Sequence, residues 1–261
     1  MVTKTGPATA DRLTDDMIAE YHAQGFLKVP QVLTPDEVTR FREASEQLIA
    51  REGAQVWGSS ENELQVHYVD HAWLKDDTLR ELVLHPVLTN LAKRLARSPL
   101  RVYGSDVLTK PPHRTLPTII HDDEAGLPLS GLSNTLTAWV ALVDVPVERG
   151  CLTYLPGSHL RPDANRQLHM ATFADYRPLE ELWPEFPWEP RVTVPLRAGD
   201  VSFHNYRTIH LAGTNDTDIA RMGHGVVYMD DGAAYRPAVE DGHLAHLSPG
   251  SVLEGDRWPR I

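Results

Sequence analysis

His121, Asp122 and Asp123 follow a short β-favouring run, residues 118–120. Residues two apart on a strand face the same side, so His121 and Asp123 can point into one cavity while Asp122 points away. The chain holds 36 Asp and Glu residues, so a His-x-Asp match also arises by chance. A polar turn is the alternative interpretation, and a metal site here needs a further ligand.

Two later histidines, His204 and His210, lie in the segment GDVSFHNYRTIHLAGTND. Two imidazoles and one carboxylate on one face of a metal form the triad of non-haem Fe(II) oxygenases, which leaves three coordination positions open. Such a site can hold a co-substrate and O₂ together. Either histidine can complete the triad by residue type alone.

Arg221 follows in the segment IARMGHGVVYM. Under strand alternation Gly223 and Gly225 share its face, and their small size predicts room for a ligand over the guanidinium. A guanidinium pairs bidentately with a carboxylate, so a dicarboxylate such as 2-oxoglutarate could bind the metal at one end and Arg221 at the other. The alternative is an ion pair with Asp216 or Asp230.

The elements that must position these residues change in type along the chain. Helix signals dominate residues 14–25, 34–53 and 77–97, and Thr34 with Glu37 forms a capping box. After residue 100, short β-favouring runs alternate with Gly- and Pro-containing turns, which is typical of a sandwich or barrel. These runs are RVYGSDVLT, TLTAWVALVDV, CLTYL, RVTVPL, DVSFH and HGVVYM.

One proline-rich segment, residues 161–190, fits neither pattern. Long insertions between strands are often lids or binding loops. A surface excursion that packs on the helices is the alternative. The aromatic residues of this segment are Phe173, Tyr176, Trp183, Phe186 and Trp188.

Composition narrows the class of protein. The chain has 261 residues and a formal net charge of −11, which disfavours binding to nucleic acid or anionic lipid. Its only cysteine, Cys151, excludes an intramolecular disulfide and a cysteine-based metal centre. The first residues lack an apolar signal sequence, and no apolar run is long enough to span a membrane. We therefore expect a soluble cytoplasmic protein.

The ordered set of motifs resembles the phytanoyl-CoA dioxygenase family of Fe(II)/2-oxoglutarate-dependent oxygenases. The resemblance covers nearly the whole chain and rests on DDMIAEYHAQGFLKVPQVLTPDEVTRFREA, KPP, HDD, TAWVALVDVPVERGCLTYLPGSH, AGDVSFHNYRTIHLAGTND and the later arginine. It implies a mainly β fold with helices, a double-stranded β-helix (jelly-roll) core buttressed by N-terminal helices. We expect a single domain with the following parts: 1–13 disordered, 14–98 helical, 99–235 jelly-roll core, 161–190 insertion or lid, and 236–261 tail.

The resemblance also implies roles for individual residues. His121, Asp123 and His210 match the iron ligands, which favours His210 over His204. Arg221 matches the arginine that binds the distal carboxylate of 2-oxoglutarate, and Trp139 matches an aromatic that packs against this co-substrate.

A hydroxyl that contacts the same carboxylate in family members is replaced here by Ala212. Thr214 is the predicted substitute. Several residues are further candidates for lining the substrate pocket: Gln65, His67, Tyr68, Tyr103, Asp106, Thr118, Phe173, Trp183 and Trp188.

The predicted activity is hydroxylation of an unactivated C–H bond of a small-molecule metabolite with Fe(II), 2-oxoglutarate and O₂, giving succinate and CO₂. The aromatic residues of the 161–190 segment favour a role in natural-product tailoring. Epimerisation, desaturation and cyclisation use the same oxidant and remain alternatives, whereas Asp123 argues against halogenation.

A non-oxidative metal-dependent isomerase or hydrolase of the cupin type would need the triad but not Arg221. A catalytically silent binding protein would need neither.

Overall fold

The computed structural model describes residues 13–57, 64–113, 115–162, 184–237 and 243–261. Its helices are α1 (Asp15–Gln24), α2 (Pro35–Glu52), α3 (Ala72–Lys75), α4 (Asp77–Val83) and α5 (Pro86–Ala96). Its strands are β1 (Phe26–Val29), β2 (Gln55–Trp57), β3 (Val66–Val69), β4 (Leu100–Lys110), β5 (Thr118–His121), β6 (Leu129–Ser130), β7 (Leu136–Ala141), β8 (Leu152–Tyr154), β9 (Val192–Val194), β10 (Val201–Asn205), β11 (His210–Ala212), β12 (Arg221–Asp230) and β13 (Ala234–Tyr235). None of these helices is long and apolar enough to cross a bilayer.

Local capping signals account for the helix ends. The Thr34 hydroxyl accepts a hydrogen bond from the Glu37 backbone, and the Glu37 carboxylate accepts one from the Thr34 backbone, so the predicted capping box is present. α1 ends at Gly25, whose φ of 85° suits a residue without a side chain. Pro86 opens α5, which divides the predicted 77–97 stretch into two helices.

The strands form two larger antiparallel sheets and one small two-stranded sheet. The major sheet has the order β1-β10-β7-β12-β4-β3-β2, and the minor sheet has the order β5-β11-β8-β9. β6 pairs with β13 in a two-stranded sheet. The predicted mainly β fold is confirmed, and its two sheets are the framework on which the candidate site is built.

Strand β7 shows why the major sheet is buried on both faces. Leu136, Ala138 and Val140 pack in the cluster that contains the apolar residues of α1, α2 and α5. Trp139 and Ala141 point the other way, into a second cluster with residues of the minor sheet. The helices therefore cover the outer face, and the site lies between the two sheets.

Two regions differ from the sequence-based expectation. β2 and β3 form a hairpin inside the stretch expected to be helical, and they add two strands to the major sheet. The expected tail is partly built into the core, because Leu253 and Trp258 pack in one cluster with Tyr103. Short strands with mixed polarity and a segment without periodicity carry little local signal.

Candidate active site

Three side chains from two strands of the minor sheet and the turn after β5 converge. His121 ends β5, Asp123 follows it, and His210 begins β11. His121 and His210 are cross-strand partners, with ring centroids 4.2 Å apart. One ligand atom from each of the three residues lies within 4.8 Å of the other two, a spacing that fits one metal ion. Two imidazoles and a carboxylate are also a donor set that suits Fe(II).

Both imidazoles are oriented by backbone carbonyls. The Nδ1 atom of His121 lies 2.7 Å from the carbonyl oxygen of Ile119, and Nδ1 of His210 lies 2.9 Å from that of Thr208. Because a carbonyl only accepts, each Nδ1 carries the proton and each Nε2 is left as a lone-pair donor. Both rings are thus held in the tautomer that binds a metal through Nε2.

The two oxygens of Asp123 have different surroundings. Oδ2 accepts hydrogen bonds from the Thr137 hydroxyl at 2.5 Å and from Nε2 of His204 at 3.1 Å. Oδ1 lies 3.8 Å from Nε2 of His210. One oxygen is held by the major sheet, and the other faces the metal-binding imidazole.

The protonation states suit a cation. Burial lowers the pKa of His121 and lowers that of His210 well below its ordinary value, so both are neutral at neutral pH. Burial alone would raise the pKa of Asp123, but the interaction with His204, which includes a hydrogen bond, leads the effects that outweigh it and hold the pKa well below its usual range. One negative charge with two neutral donors is ready for a divalent metal without proton release.

Asp122 points away from this site, as the strand alternation predicts. Its carboxylate accepts a hydrogen bond at 2.7 Å from Arg161, and both side chains are buried. The same guanidinium donates to the carbonyl oxygens of Ser158 and Arg207. This buried pair anchors the turn that carries Asp123.

Arg221 begins β12 in the major sheet and is buried. One of its terminal nitrogens donates to the carbonyl oxygen of Gly150 at 3.1 Å, and no described residue accepts from its Nε. Asp216 and Asp230 accept hydrogen bonds from other partners, and neither forms an ion pair with Arg221 in the described part of the chain. A buried guanidinium with a free donor is suited to an arriving carboxylate.

The position of the Trp139 indole explains why residue 223, near Arg221 on the same strand, is a glycine. A Cβ on Gly223 would lie 2.1 Å from the indole of Trp139, so the glycine makes space for the ring. The guanidinium carbon of Arg221 lies 5.4 Å from the same ring centroid, within the range of a cation–π contact. The expectation that Gly223 leaves room for a ligand is wrong, since the indole fills that room.

Lys110 is a second buried basic side chain that the sequence analysis did not single out. It is the cross-strand partner of Arg221, and its ammonium donates to the carbonyl oxygen of Leu116 at 2.8 Å. Burial, with repulsion from Arg221, lowers its pKa to about 6. The signal in the sequence was its position at the end of a β-favouring run, directly before two prolines.

A cavity of about 630 Å³ connects these groups. Its inner end is formed by Arg221, Trp139, Leu152 and Ala212, and the candidate metal ligands line its middle. We define its outer end by Gln55, Tyr68, Asp70, His71, Tyr103, Asp106 and His243. The cavity is therefore large enough for a co-substrate at the inner end and a second molecule at the outer end.

Comparison with known proteins places this site in a family. The family model for phytanoyl-CoA dioxygenase (PhyH) matches residues 21–223, which include the triad and Arg221. The chain belongs to the phytanoyl-CoA dioxygenase family. It is a non-haem Fe(II)/2-oxoglutarate-dependent dioxygenase that uses O₂, as the shared family and the structural neighbours with bound iron and 2-oxoglutarate show.

Similar solved structures include members from antibiotic biosynthesis. The non-haem α-ketoglutarate-dependent carbocyclase SnoK from nogalamycin biosynthesis is 57% identical, with a TM-score of 0.93, over 98% of this chain and 100% of that one. The epimerase SnoN, in complex with Fe³⁺, α-ketoglutarate and nogalamycin RO, is 43% identical, with a TM-score of 0.82, over 94% of this chain and 97% of that one. Both neighbours support the predicted double-stranded β-helix.

Curated family members are more distant. Phytanoyl-CoA dioxygenase domain-containing protein 1 of Mus musculus is 28% identical over 64% of this chain and 58% of its own length. Peroxisomal phytanoyl-CoA dioxygenase of Rattus norvegicus is 23% identical over 76% of this chain and 62% of its own length. This member of the family thus matches less than two thirds of the length of these relatives.

The structure separates the predicted pocket residues of this dioxygenase. Tyr103 and Thr118 line the cavity, as do Tyr68 and Asp106. Gln65 and His67 do not: strand β3 turns Val66 and Tyr68 towards the cavity, whereas His67 and Gln65, the residue just before the strand, point away from it. The Gln65 side chain instead accepts a hydrogen bond from the backbone of Ile119 and so supports strand β5.

The aromatic insertion gives a mixed outcome. Phe173 and Trp183 lie outside the described residues. Trp188 contacts Phe186, with ring centroids 5.0 Å apart, and packs on a cluster that contains Ile120, so it does not line the cavity. The predicted substrate contact of Trp188 has no support among the described residues, because this side chain packs on Ile120, Leu155 and Ile209.

Thr214 is not brought to the inner end of the cavity. Its hydroxyl donates to the Asp216 carboxylate at 2.8 Å in an exposed turn. Trp57, in contrast, was missed by the sequence analysis, yet it lines the cavity with its ring centroid 5.1 Å from that of His121. It lies on the short β2 strand, which had no alternating pattern to reveal it.

A second group of possible ligands, Asp70, His71 and His243, lies at the outer end. Arg257 donates to Nδ1 of His243 at 3.0 Å, which leaves Nε2 of a neutral ring protonated. Lys75 forms an ion pair with Asp70 at 2.8 Å. Both contacts compete with metal binding and favour a hydrogen-bonding role for this group.

Proposed function

We propose that this dioxygenase catalyses an oxidative carbon–carbon ring closure on a small molecule related to the intermediates of nogalamycin biosynthesis. The observation that carries the proposal is its similarity to the carbocyclase SnoK, which extends over 98% of the chain at 57% identity. The cavity supports it, because about 630 Å³ exceeds the space that 2-oxoglutarate alone requires. Hydroxylation, the activity predicted from the sequence, becomes an outcome of the test.

In the proposed enzyme His121, Asp123 and His210 hold Fe(II). Arg221 receives the distal carboxylate of 2-oxoglutarate through Nε, from which no described residue accepts, and Trp139 packs beside it. Iron with 2-oxoglutarate and O₂ supplies the oxidant that removes hydrogen from the substrate. The protein orients the reactants and excludes water from the buried middle of the cavity.

Ring closure has a distinct stoichiometry. The substrate loses two hydrogen atoms as the new carbon–carbon bond forms. 2-Oxoglutarate loses CO₂ and takes up one atom of O₂ to give succinate. The second oxygen atom leaves as water with the two hydrogens.

Epimerisation is the second candidate, and the 43% identity to SnoN over 94% of the chain favours it. An epimer has the same mass as its substrate, whereas the ring-closed product is two hydrogen atoms lighter and a hydroxylated product is one oxygen atom heavier. Mass alone therefore separates the three outcomes.

The test begins with an anaerobic titration of the purified enzyme with Fe(II) and 2-oxoglutarate, followed by visible absorbance. The enzyme is then assayed for succinate release with nogalamycin RO and other nogalamycin-type intermediates as substrates. The mass of each product is measured by mass spectrometry. A product lighter by two hydrogens with a new C–C bond in its NMR spectrum supports the proposal. Turnover that is unchanged in Arg221→Ala and independent of 2-oxoglutarate points instead to a non-oxidative metal enzyme.

A further inference from the structure

A continuous row of buried polar groups reaches Asp123 from the major sheet. The Ser202 hydroxyl lies 2.8 Å from the Tyr154 hydroxyl, which lies 3.3 Å from Nδ1 of His204. Nε2 of His204 in turn lies 3.1 Å from Oδ2 of Asp123. Ser202, Tyr154 and His204 are each at most 2% exposed.

The direction of these hydrogen bonds is fixed by the carboxylate at one end. An ionised Asp123 only accepts, so Nε2 of His204 must carry a proton. In the neutral ring Nδ1 then accepts, the Tyr154 hydroxyl donates to it, and the Ser202 hydroxyl donates to Tyr154. Every donor and acceptor in this row has a partner, as buried polar groups require.

Thr137 completes the arrangement from the neighbouring strand. Thr137 and His204 are cross-strand partners in the β7–β10 pair, and both reach across to the same oxygen of Asp123. The major sheet thereby occupies Oδ2 with two donors. Oδ1 is left on the side of His210.

We infer that His204 is a positioning residue: it holds Oδ2 of Asp123 so that the carboxylate would bind iron through Oδ1 alone and leave room for 2-oxoglutarate and O₂. This inference rests on the proposed roles of His121, Asp123 and His210. Without the His204 contact, Oδ2 would keep only the hydrogen bond from Thr137 and could turn towards a bound metal. Mutating a residue that hydrogen-bonds to a metal ligand typically lowers metal affinity or activity by about 10–100-fold.

The decisive pair of variants is His204→Leu and His204→Gln. Leucine has a similar size but no donor, whereas the glutamine amide can place an N–H where Nε2 stands. Fe(II) affinity is measured anaerobically by direct titration, and the visible absorption of the Fe(II)–2-oxoglutarate complex is recorded for each variant. We expect His204→Leu to lose about 10–100-fold in Fe(II) affinity and to change the absorption band, and His204→Gln to restore both.

Two further variants serve as controls. Tyr154→Phe removes the donor to Nδ1 and should cause a smaller change of the same kind. His224 is also fully buried, but it lies on the outer face of the major sheet with its neighbours Val140 and Val107, so His224→Gln reports the cost of losing a buried histidine without the Asp123 contact. Thermal unfolding of each variant separates a folding defect from a change at the site.

Several outcomes overturn the inference. Wild-type affinity and absorption in His204→Leu would show that the contact has no role. Complete loss of iron in both His204 variants, equal to that of His210→Ala, would make His204 a ligand. If His204→Leu does not fold, a Tyr154→Phe variant with unchanged absorption contradicts the inference. Unchanged Fe(II) binding in His210→Ala would instead reject the proposed metal site itself.

Discussion

The inner and outer ends of the cavity are built in different ways. At the inner end, Arg221 and Trp139 are buried, lie on regular strands and contact other residues of the two sheets. At the outer end, Asp70, His71 and His243 are half-buried and lie in turns outside the helices and strands. Rigid strands hold groups to the accuracy that chemistry needs, whereas connections can change with the substrate. The contrast predicts that substitutions at the inner end have larger effects than substitutions at the outer end.

The largest effect is expected at the metal ligands between the two ends. Replacing Asp123 or His210 with alanine removes one of three donors, so Fe(II) affinity should fall by more than the roughly 100-fold that loss of an outer partner causes. Anaerobic Fe(II) titration measures it. Retained tight binding in either variant would remove that residue from the ligand set. His67→Ala, which alters a residue outside the cavity, is the matched control.

Arg221→Ala should give the next largest effect. Loss of one partner from a buried charge pair costs about 2–5 kcal/mol, so the Kd for 2-oxoglutarate should rise by at least about 30-fold. Arg221→Lys should recover only part of this loss, because an ammonium lacks the planar fork. Fe(II) affinity should stay unchanged in both variants. A 2-oxoglutarate affinity equal to that of the wild type would place the co-substrate elsewhere.

Gly223 and Gly225 offer a comparison within one strand. A Cβ at position 223 meets the Trp139 indole at 2.1 Å, whereas one at position 225 meets Leu108 at 3.5 Å, an ordinary contact. Gly223→Ala should therefore cost about 1–3 kcal/mol of unfolding free energy, and Gly225→Ala should cost less. Denaturant unfolding compares them. Trp139→Phe in the Gly223→Ala background should recover part of the loss, and its failure to do so would contradict the packing explanation.

Lys110 should make co-substrate binding depend on protons. Its pKa of about 6 leaves the amine mostly neutral at pH 7 in the free enzyme. A dianion bound at Arg221 offsets the repulsion and raises this pKa, so Lys110 should take up a fraction of a proton as 2-oxoglutarate binds. Calorimetry in two buffers of different ionisation enthalpy measures the uptake. Lys110→Met should abolish it, and uptake that persists in this variant would assign the proton to another group.

The smallest effect is expected at the outer end. Tyr68→Phe removes a hydroxyl from the cavity wall, and a single hydrogen bond is worth about 0.5–1.5 kcal/mol. The substrate KM should rise about 2- to 10-fold, while 2-oxoglutarate consumption without substrate stays constant. His67→Ala, on the other face of the same strand, should leave both unchanged. An equal effect of the two variants would show that the change acts through strand β3 itself.

The two ends also differ in how far the sequence predicts them. His121, Asp123 and Arg221 follow from strand alternation and the order of motifs, and the helix caps follow from contacts within a few residues. Gln65 and His67 were misplaced because the facing of β3 depends on its pairing with β2 and β4, which are separated from it along the chain. Contacts formed between distant strands leave no local pattern.

The same limit explains what was missed around Asp123. His204 was considered as a rival ligand, and its contact with Asp123 appears only when β10 and the turn after β5 are brought together. Thr137 could have been found, since it lies two residues before Trp139 on the same face of β7. The predicted contact of Thr214 with the co-substrate carboxylate is not supported, because the Thr214 hydroxyl already donates to Asp216 within its own turn.

The two metal-binding imidazoles are each oriented by a backbone carbonyl that lies two residues earlier in the chain. The hydrogen bond that orients each ring therefore lies within a tripeptide and does not depend on the opposite sheet. Each imidazole can therefore take up its orientation during folding, before strands β5 and β11 pair. Transplanting either tripeptide to an extended strand of another protein should therefore transfer a histidine whose ring is already oriented for metal binding.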